Sequence, residues 1–446
     1  MFKNKKILVL GMARSGYSVA KLLINRDNEV TLIDKKEEQY HNQKNIIELR
    51  NLGVNLIFGD EPDILDNSFD YLVKNPGVFP NHKYVLLAKK LGVEVINEVE
   101  VTYRLLPEGV KVVGITGTNG KTTTTTITYE ILNKFFGKKV ILAGNIGIPL
   151  SSMLNSIKSD DILLMEISCQ QLNSFTLFKP DIAAVTNLSP THLDYFGDYD
   201  SYLDAKKSIF SNQGENDIAI LNIDNVDVLN ISKNIKSVCK YFSSEETING
   251  CYIDNDVIYY YDEEIINVNN ILLKGIHNYE NIMTAIMICK ELGVSNEDIC
   301  SVLTIFKGVE HRLEYVKEKN GVRYYNDSKA TNIECCGIAI KSFVEPTILI
   351  LGGMERGQDY NLLIDKMDNV KVIIGIGECR EKVKNFGNKV GIDTYIYEYL
   401  KDGFNKAVSL SKDGDVVLLS PGTASWDQYD SFEKRGEEFK FLVEEI

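Results

Sequence analysis

The sequence predicts an α/β protein of three domains, each with a mostly parallel sheet flanked by helices. Short runs of aliphatic and β-branched residues alternate with helical patterns along all 446 residues, as is typical of βαβ units. A chain of this length is expected to form about three domains of roughly 150 residues each. We expect a Rossmann-like N-terminal domain over 1–97, a central domain of the P-loop type over 98–308 and a Rossmann-like C-terminal domain over 309–446.

The predicted strands begin close to the N-terminus and recur throughout the chain. The candidate strands are Lys6–Leu10, Val30–Asp34, Tyr71–Asn75, Val110–Thr116, Val140–Ala143, Ile162–Glu166, Ile182–Asn187, Ile218–Asn222, Val322–Asp327, Thr347–Gly352, Val372–Gly375 and Val416–Ser420. The helices expected near the domain boundaries are Glu98–Leu106, Asn278–Leu292 and Asn296–Phe306. Segment 241–270 is expected to form antiparallel hairpins with turns at Asn249-Gly250 and Asp262-Glu263. Because most of these strands end in small or polar residues, we expect ligands at the carboxyl edges of the sheets.

Composition and charge exclude several classes of protein. The chain has 49 Lys and Arg residues against 63 Asp and Glu residues, a formal net charge of −14 that argues against a general binder of nucleic acid or anionic membranes. No run approaches the ~18 apolar residues of a membrane helix, and the apolar run after the basic N-terminus is too short for a signal peptide. The eight cysteines form no CxxC pair, which fits reduced thiols. We therefore expect a cytoplasmic protein with no nucleic-acid or membrane partner. Separately, we expect a monomer.

The strongest single motif is a glycine-rich turn between a predicted strand and a threonine-rich helix. It reads Gly117-Thr118-Asn119-Gly120-Lys121-Thr122-Thr123. The glycines allow backbone N–H groups to approach phosphates, the helix N-terminus is partially positive, Lys121 adds a point charge and Thr122 can ligate Mg²⁺. The strict P-loop motif is not matched, because Ile115 stands at its first glycine position. A plain strand–helix turn would need neither Lys121 nor Thr122, so the motif predicts a phosphate site.

A second glycine loop, Gly11 to Gly16, follows the first predicted strand, and Asp34 closes the second strand. Ala13 replaces the middle glycine of the dinucleotide-binding pattern, so this signal is weak. A nucleotide diphosphate bound at the helix N-terminus and a tight turn without a ligand fit the pattern equally well.

Three residues of the predicted central domain are candidates for metal chemistry. Glu166 ends an apolar strand beside the phosphate loop, where it could ligate Mg²⁺ or simply accept from backbone donors. His192 follows the next strand, although a lone histidine is more often structural than a ligand. Lys206 lies on the helix after that, where a lysine usually faces solvent.

Taken together, five motifs along the whole chain resemble the Mur ligase family of ATP-dependent amide-bond ligases, which also includes folylpolyglutamate synthase. The motifs are Gly117–Thr123, Glu166–Leu172, His192-Leu193-Asp194 with Ala205-Lys206, His277–Asn281 and His311-Arg312. Two C-terminal motifs, Asn326–Asn332 and Ser420–Gly436, resemble the branch that adds D-glutamate to UDP-N-acetylmuramoyl-L-alanine. The Asp-Asn-Pro-Arg motif of the branch that adds diaminopimelate or lysine is absent from the sequence.

The resemblance implies an acyl-phosphate mechanism in peptidoglycan precursor synthesis, with UDP-N-acetylmuramoyl-L-alanine, D-glutamate and ATP as substrates. Another amide ligase of the superfamily, such as folylpolyglutamate synthase, is the alternative. It further implies two Mg²⁺ sites, the first held by Thr122 and Glu166 and the second by His192 and Lys206, whose amine would be carboxylated by CO₂.

The resemblance also implies roles for individual side chains. The catalytic set is Lys121, Glu166, His192 and Lys206. The ATP-binding set is Gly117, Thr118, Asn119, Gly120, Lys121, Thr122, Thr123, Asn278, Asn281, Arg312, Asp327 and Lys329. The set for the uridine-nucleotide substrate is Arg14, Ser15, Asp34, Lys35, Gly77 and Asn145. The set near D-glutamate and the γ-phosphate is Lys329, Thr331, Arg356, Ser425 and Phe432.

Two positions depart from the pattern of some family members. Arg356 stands where a lysine can stand, and its guanidinium can bind a carboxylate through two parallel hydrogen bonds, so the geometry of glutamate capture would differ. Thr191 stands where some members have an aspartate before the histidine, which leaves open what orients His192.

Overall fold

The structure, a computed structural model, describes residues 1–446 apart from the side chain of Glu334. The chain divides into two compact units, residues 1–305 and 306–446. The first unit contains two sheets and the second unit contains one. The three-domain α/β class predicted from the sequence is confirmed, whereas the exact domain boundaries remain a prediction.

The N-terminal sheet has five parallel strands in the order β3-β2-β1-β4-β5. Its strands are β1 (Lys6–Leu10), β2 (Glu29–Asp34), β3 (Asn55–Phe58), β4 (Tyr71–Lys74) and β5 (Glu94–Ile96). The helices are α1 (Arg14–Ile24), α2 (Gln43–Asn51), α3 (Lys83–Leu91) and, leading to the next sheet, α4 (Glu98–Tyr103). Val9 packs on one face with Leu23 and Leu49, and Leu8 packs on the other with Val85. Because helices cover both faces, the central strands are continuous apolar runs.

The second sheet has nine strands in the order β14-β13-β12-β11-β10-β9-β6-β8-β7. Its strands are β6 (Lys111–Thr116), β7 (Val140–Gly144), β8 (Ile162–Glu166), β9 (Ile182–Val185), β10 (Ile218–Asn222), β11 (Val238–Ser243), β12 (Cys251–Asp254), β13 (Val257–Tyr260) and β14 (Glu263–Asn267). The helices are α5 (Lys121–Phe136), α6 (Leu150–Met153), α7 (Cys169–Leu172), α8 (Leu193–Phe196), α9 (Tyr199–Lys207), α10 (Val226–Ile231), α11 (Ile276–Glu291) and α12 (Asn296–Leu303). Helix α5 packs against α11, so the residues after the phosphate loop lie against the helix that carries Asn278 and Asn281.

The predicted hairpin turn at Asn249-Gly250 is wrong. Strand β12 pairs with β11 in parallel, so the segment around Gly250 is a crossover between parallel strands. The antiparallel pairs are β12–β13 and β13–β14. The first of them turns at Asn255 and Asp256, which both have positive φ, as a tight hairpin requires. The second turns at Tyr261 and Asp262, close to the predicted position.

The second unit has a six-stranded sheet in the order β15-β16-β20-β17-β18-β19, parallel except for β15 at the edge. Its strands are β15 (Glu314–Lys319), β16 (Val322–Asn326), β17 (Thr347–Gly352), β18 (Val370–Ile376), β19 (Asp393–Tyr397) and β20 (Val416–Leu419). The helices are α13 (Ile333–Lys341), α14 (Arg380–Val390), α15 (Leu400–Leu410) and α16 (Phe432–Glu444). Separate apolar clusters cover its two faces.

Short 3₁₀ helices complete the secondary structure, at Glu38–Tyr40, Gly137–Lys139, Leu154–Ser156, Ser208–Phe210, Val268–Asn270 and Tyr360–Lys366. Within the described residues, no helix has the length and apolar character required to cross a membrane. The same residues contain no disulfide.

Candidate active site

The predicted phosphate loop joins β6 to the N-terminus of α5, and two of its glycines leave no room for a side chain. Gly117 and Gly120 both have positive φ. A Cβ at Gly117 would overlap Thr186 Oγ1, and a Cβ at Gly120 would overlap Asn281 Oδ1. The loop therefore follows a path that is open only to glycine, and its second glycine lies directly against α11.

Neighbouring chain segments hold this loop in place. The Thr118 N–H donates to Asn187 O at 2.8 Å, and the Asn119 N–H donates to Asn187 Oδ1 at 2.9 Å. The Thr186 hydroxyl donates to Asn119 O at 2.7 Å. Two of the backbone N–H groups that the sequence suggested for phosphate binding are thus occupied by the end of β9. The donors that remain for an anion are those of the first turn of α5, which lack intrahelical acceptors.

Lys121, the first residue of α5, bends back over the loop. Its Nζ donates to Gly117 O at 3.0 Å and to Thr118 O at 2.7 Å. The side chain lines a cavity of about 510 Å³ together with Gly117 and Thr118. The ammonium group is therefore held inside the cavity into which the helix N-terminus also points, as an anion site requires.

Glu166, the last residue of β8, is buried, and only one of its two carboxylate oxygens has a hydrogen-bond partner. Its Oε1 accepts from Asn145 Nδ2 at 2.8 Å, whereas its Oε2 is buried with no hydrogen-bond partner. A buried carboxylate oxygen without a partner is costly unless a cation or a donor completes it. Among the described residues, no group of three or more His, Cys, Asp or Glu side chains is placed to hold a metal ion. Glu166 therefore fits a Mg²⁺ site that also draws on hydroxyl, water or phosphate ligands.

A lysine on a helix usually faces solvent, but Lys206, on α9, is buried and only 1% exposed. Its Nζ donates to Thr116 Oγ1 at 2.9 Å and to Gly117 O at 2.8 Å. Burial holds the pKa of Lys206 well below its usual range, and the charge of Lys121 lowers it further. The buried environment next to the phosphate loop therefore favours the neutral form of this amine.

His192 and Lys206 line the same cavity as Lys121. His192 has positive φ and caps the N-terminus of the one-turn helix α8. The neighbouring Tyr202 hydroxyl lies 2.6 Å from Thr118 Oγ1. The cavity thus gathers a cationic lysine, an imidazole and a buried amine around the loop.

A second cavity of about 240 Å³ lies between the first two sheets, at the N-terminus of α1. Arg14 and Ser15 line it, and Asn75 Nδ2 donates to Ser15 Oγ at 3.1 Å. Pro76 and Asn145 line both this cavity and the larger one. The two cavities therefore share a wall, which runs from the first glycine loop to the phosphate loop.

The remaining residues predicted for the nucleotide substrate are not all in these cavities. Gly77 lines the larger cavity. Asp34 lines neither; its Oδ2 accepts from the Met12 N–H at 2.6 Å and so anchors the first glycine loop. Lys35 also lies outside both linings and is exposed.

The two asparagines predicted to contact adenosine lie on α11. Asn281 Oδ1 accepts from Thr124 Oγ1 at 3.2 Å, which joins α11 to α5 next to Gly120. Asn278 Nδ2 donates to Lys274 O at 2.8 Å. Both side chains are mostly buried, and only Asn281 contacts the phosphate loop directly.

In the second unit, Asp327 is the central buried acid. Its Oδ2 accepts from Ser420 Oγ at 2.7 Å and its Oδ1 from the Leu313 N–H at 3.1 Å. Burial raises the pKa of Asp327 to about 7, although these two donors and the charges of Arg312 and Arg435 act in the opposite direction.

The residues predicted for D-glutamate lie on neighbouring loops of this unit. Lys329 Nζ lies 5.9 Å from the centroid of the Phe432 ring. The Arg356 guanidinium lies 5.5 Å from the Trp426 ring. Ser425 Oγ is buried and has no hydrogen-bond partner. The Thr331 N–H donates to Lys329 O at 2.8 Å, so it follows Lys329 in a tight turn.

Sequence reasoning missed one prominent side chain of this unit, Arg435. It is almost fully buried, and its guanidinium donates to Ser328 Oγ at 3.0 Å, Ser328 O at 2.9 Å and Thr423 O at 3.0 Å. Burial lowers the pKa of Arg435 to about 10. It ties the Asp327 turn to the Ser425 segment. Its position within the Ser420–Gly436 motif could have identified Arg435 from the sequence. An arginine in a helix, however, normally lies on an exposed face.

Comparisons with known proteins match the whole length of the chain. The model described as "Mur ligase MurD-like, N-terminal domain" matches residues 5–97, "Mur ligase middle domain" matches 115–289 and "Mur ligase, glutamate ligase domain" matches 311–422. Two similar relatives are both called UDP-N-acetylmuramoylalanine–D-glutamate ligase. The one from Listeria monocytogenes serotype 4b (strain F2365) is 40% identical over 448 residues, and the one from Bacillus cereus (strain AH820) is 41% identical over 450 residues. Each alignment covers 100% of this chain and 98% of the relative.

Solved structures share the fold at lower sequence identity. UDP-N-acetylmuramate–alanine ligase from Thermotoga maritima aligns with a TM-score of 0.58 and 16% identity, covering 99% of both chains. A pseudomurein peptide ligase type C from Methanothermus fervidus aligns with a TM-score of 0.57 and 19% identity, covering 99% of this chain and 100% of the other.

Proposed function

Because this chain belongs to the Mur ligase family, we propose that it adds D-glutamate to UDP-N-acetylmuramoyl-L-alanine with conversion of ATP to ADP and phosphate. One observation carries this proposal: the cavity around Lys121 and Lys206 adjoins the cavity at the N-terminus of α1, and Pro76 and Asn145 line both. A nucleotide at α1 could thereby extend its acyl end to the phosphate loop.

The reaction needs a carboxylate to become an electrophile. Its oxygen attacks the γ-phosphorus of ATP, the bond to the β–γ bridging oxygen breaks, and ADP leaves. Both reactants are anionic, so Lys121 and the N-terminus of α5 must offset their repulsion. Their convergence on one cavity supports this role.

The amine of D-glutamate then attacks the acyl carbon, a C–N bond forms and phosphate leaves. The ammonium of free D-glutamate must lose a proton before it can attack, and His192 lines the cavity in which this occurs. We assign Lys329, Thr331, Arg356, Ser425 and Phe432 to the binding of D-glutamate or the transferred phosphate. The buried hydroxyl of Ser425, which has no partner, supports a polar ligand there.

We further propose that Thr122 and Glu166 hold one Mg²⁺, and that His192 and a carboxylated Lys206 hold a second. When bound, Mg²⁺ would neutralise phosphate charge and act as a Lewis acid. The partnerless Oε2 of Glu166 supports the first site. The burial of Lys206 supports carboxylation, because it lowers the pKa of this amine and so favours the neutral form that attacks CO₂.

The other assignments are proposals of the same kind. Arg14, Ser15, Gly77 and Asn145 would bind the nucleotide substrate, with Asp34 and Lys35 beyond the cavity itself. Thr118, Asn119, Asn278, Asn281, Arg312 and Asp327 would bind ATP. We propose domain boundaries at about residues 97 and 308, and a monomer that acts in the cytoplasm, where ATP and nucleotide-linked precursors are available.

The decisive experiment is a phosphate-release assay with ATP, Mg²⁺ and UDP-N-acetylmuramoyl-L-alanine, in parallel with D-glutamate and L-glutamate. We expect release with D-glutamate only, and a product heavier by one glutamyl residue by mass spectrometry. Release with a folate acceptor in place of the uridine nucleotide would identify a different amide ligase. Absence of release with the uridine nucleotide would refute the proposal.

A further inference from the structure

Lys74, the last residue of β4, is a buried lysine near the two cavities. The side chain is 2% exposed, and its Nζ donates to Tyr195 OH at 3.0 Å and to Val78 O at 3.2 Å. Burial, followed by the charge of Lys89, lowers the pKa of Lys74 to about 8. Both acceptors are neutral oxygens. Burial of an ammonium group without an anionic partner is unfavourable, so we ask what Lys74 contributes in return.

Tyr195, on α8, forms the other half of this contact. Its hydroxyl lies 3.1 Å from Pro76 O and 3.0 Å from Val78 O, so it donates to this turn while accepting from Lys74. Its ring lies 5.2 Å from the ring of Phe79, between centroids. The lysine and the tyrosine together hold segment 74–79, which begins at the last residue of β4, against α8.

Segment 74–79 contributes Pro76 to the wall that the two cavities share. Pro76, Gly77, Phe79 and Tyr195 line the larger cavity, and Pro76 also lines the smaller one. Helix α8 starts next to His192, and the Tyr195 N–H donates to His192 O at 3.0 Å. Movement of this segment would therefore shift both the path of the nucleotide substrate and the position of His192.

We propose that Lys74 and Tyr195 are positioning residues that fix this wall, so that the acyl end of the nucleotide substrate is held at the phosphate loop. The inference rests on the proposed function and concerns residues to which that function assigned no role. Neither side chain takes part in bond making. A lysine suits the task because a single ammonium donates simultaneously to a turn carbonyl and to a phenol on another element.

The test compares Tyr195→Phe, Lys74→Met, the double variant and the control Tyr103→Phe. Tyr195→Phe keeps the ring and removes only the hydroxyl. Tyr103 OH donates to Lys179 O at 3.3 Å, and Tyr103 lines neither cavity, so Tyr103→Phe is a control that removes a half-buried, hydrogen-bonded hydroxyl elsewhere. The measurements are kcat and KM for each of the three substrates, the calorimetric affinity for UDP-N-acetylmuramoyl-L-alanine and the thermal midpoint.

We expect each single variant to lower kcat/KM for the nucleotide substrate about tenfold, while KM for ATP and for D-glutamate stays within about twofold. The double variant should be little worse than either single variant, because both changes release the same wall. Tyr103→Phe should leave all three KM values unchanged.

Unchanged kinetics in Tyr195→Phe, or effects that multiply to about a hundredfold in the double variant, would overturn the inference while leaving the proposed function intact. An equal change in all three KM values with a lowered thermal midpoint would indicate a purely structural role and also overturn it. If Lys74→Met does not fold, Tyr195→Phe decides alone. A wild-type protein that neither binds nor converts the nucleotide would remove the proposed function and, with it, this inference.

Discussion

Asn145 holds Glu166 at two points: its side-chain amide donates to Glu166 Oε1 at 2.8 Å, and its backbone N–H donates to Glu166 O at 2.8 Å. The pair fixes the carboxylate so that Oε2 is the oxygen left without a partner. Asn145 follows β7 and Glu166 ends β8, so the contact links two adjacent strand ends at the carboxyl edge of the sheet. A residue assigned to substrate binding therefore also orients a proposed metal ligand.

Replacement of Glu166 by glutamine should raise the Mg²⁺ concentration for half-maximal activity at least tenfold. The amide keeps the shape but cannot offer an anionic oxygen to a cation. The measurement is initial rate against Mg²⁺ concentration at saturating ATP. Asp160→Asn is the control, because Asp160 is exposed and pairs only with Lys139 close to the same strand. An unchanged Mg²⁺ dependence in Glu166→Gln would remove Glu166 from the metal site.

Lys121→Ala should lower kcat by about a hundredfold or more, because a preorganised charge aimed at the transferred phosphate is lost. Lys134→Ala is the matched control: it lies on the same helix and contacts the hydroxyl of Ser301, away from the loop. Steady-state kinetics of both variants suffice. A Lys121→Ala protein with the wild-type rate would show that the loop lysine has no catalytic role.

Gly120→Ala should raise KM for ATP at least tenfold, because the new Cβ overlaps Asn281 Oδ1 and the loop must move. Gly137, at the end of the same helix, also has positive φ, but a Cβ there would have nothing within 4 Å. Gly137→Ala should therefore lower stability by about 1 kcal/mol through backbone strain alone and leave KM for ATP unchanged. Equal KM values in the two variants would contradict the proposed packing of the loop on α11.

Lys206 should carry CO₂ at neutral pH. Its neutral amine attacks the carbon, an N–C bond forms and one proton is released; the pKa of Lys206, held low by burial, provides that neutral amine. Protein exchanged with ¹³C-bicarbonate should show a carbamate carbon signal by NMR, and removal of CO₂ should lower activity. Lys206→Met should lack the signal, whereas Lys207→Ala, at the exposed next position, should retain it. A spectrum identical for wild type and Lys206→Met would rule out the modification.

Asp327 should make the second unit less stable as the pH rises from 5 to 8. Burial raises the folded-state pKa of Asp327 to about 7, above the value of about 3.9 expected in the unfolded chain. The folded state therefore binds more protons between these pH values, and its stability falls as pH rises through that window, by on the order of 2 kcal/mol.

Asp327→Asn should abolish most of that dependence. Urea unfolding at pH 5 and pH 8 can be followed through Trp426, the only tryptophan in the sequence, which lies in the same unit. Asp365→Asn is the control, since Lys366 lowers the pKa of this exposed carboxyl and so confines its titration to more acidic pH. A wild-type protein with the same midpoint at both pH values would contradict the shift.

Most of the strands that the sequence did not predict lie at the edges of the sheets. All twelve strands predicted from the sequence are present, with end positions that differ by two residues at most. Of the strands that were not predicted, β3, β5, β15 and β19 lie at sheet edges, whereas β11 lies inside the nine-stranded sheet. An edge strand is half solvated and mixes polar with apolar residues, so it lacks the apolar run that marks a buried strand.

The site residues that could be predicted from the sequence differ from those that could not in whether their contacts are local or distant along the chain. The phosphate loop and Glu166 could be identified because their chemistry lies within a few consecutive residues. The burial of Lys206 could not, because its acceptors at Thr116 and Gly117 lie about 90 positions away in the sequence. The same holds for Lys74 and Tyr195, which are separated by 121 positions.

Strand β20 lies inside the six-stranded sheet of the second unit, between β16 and β17, although it is the last of the six strands in sequence. The hydrogen bond between Asp327 and Ser420 spans 93 positions for the same reason. During synthesis, β16 and β17 emerge from the ribosome well before the strand that separates them, and each keeps an unpaired apolar edge until then. This unit thus depends on late, long-range strand pairing, which leaves the edges of β16 and β17 open to mispairing until β20 has been made.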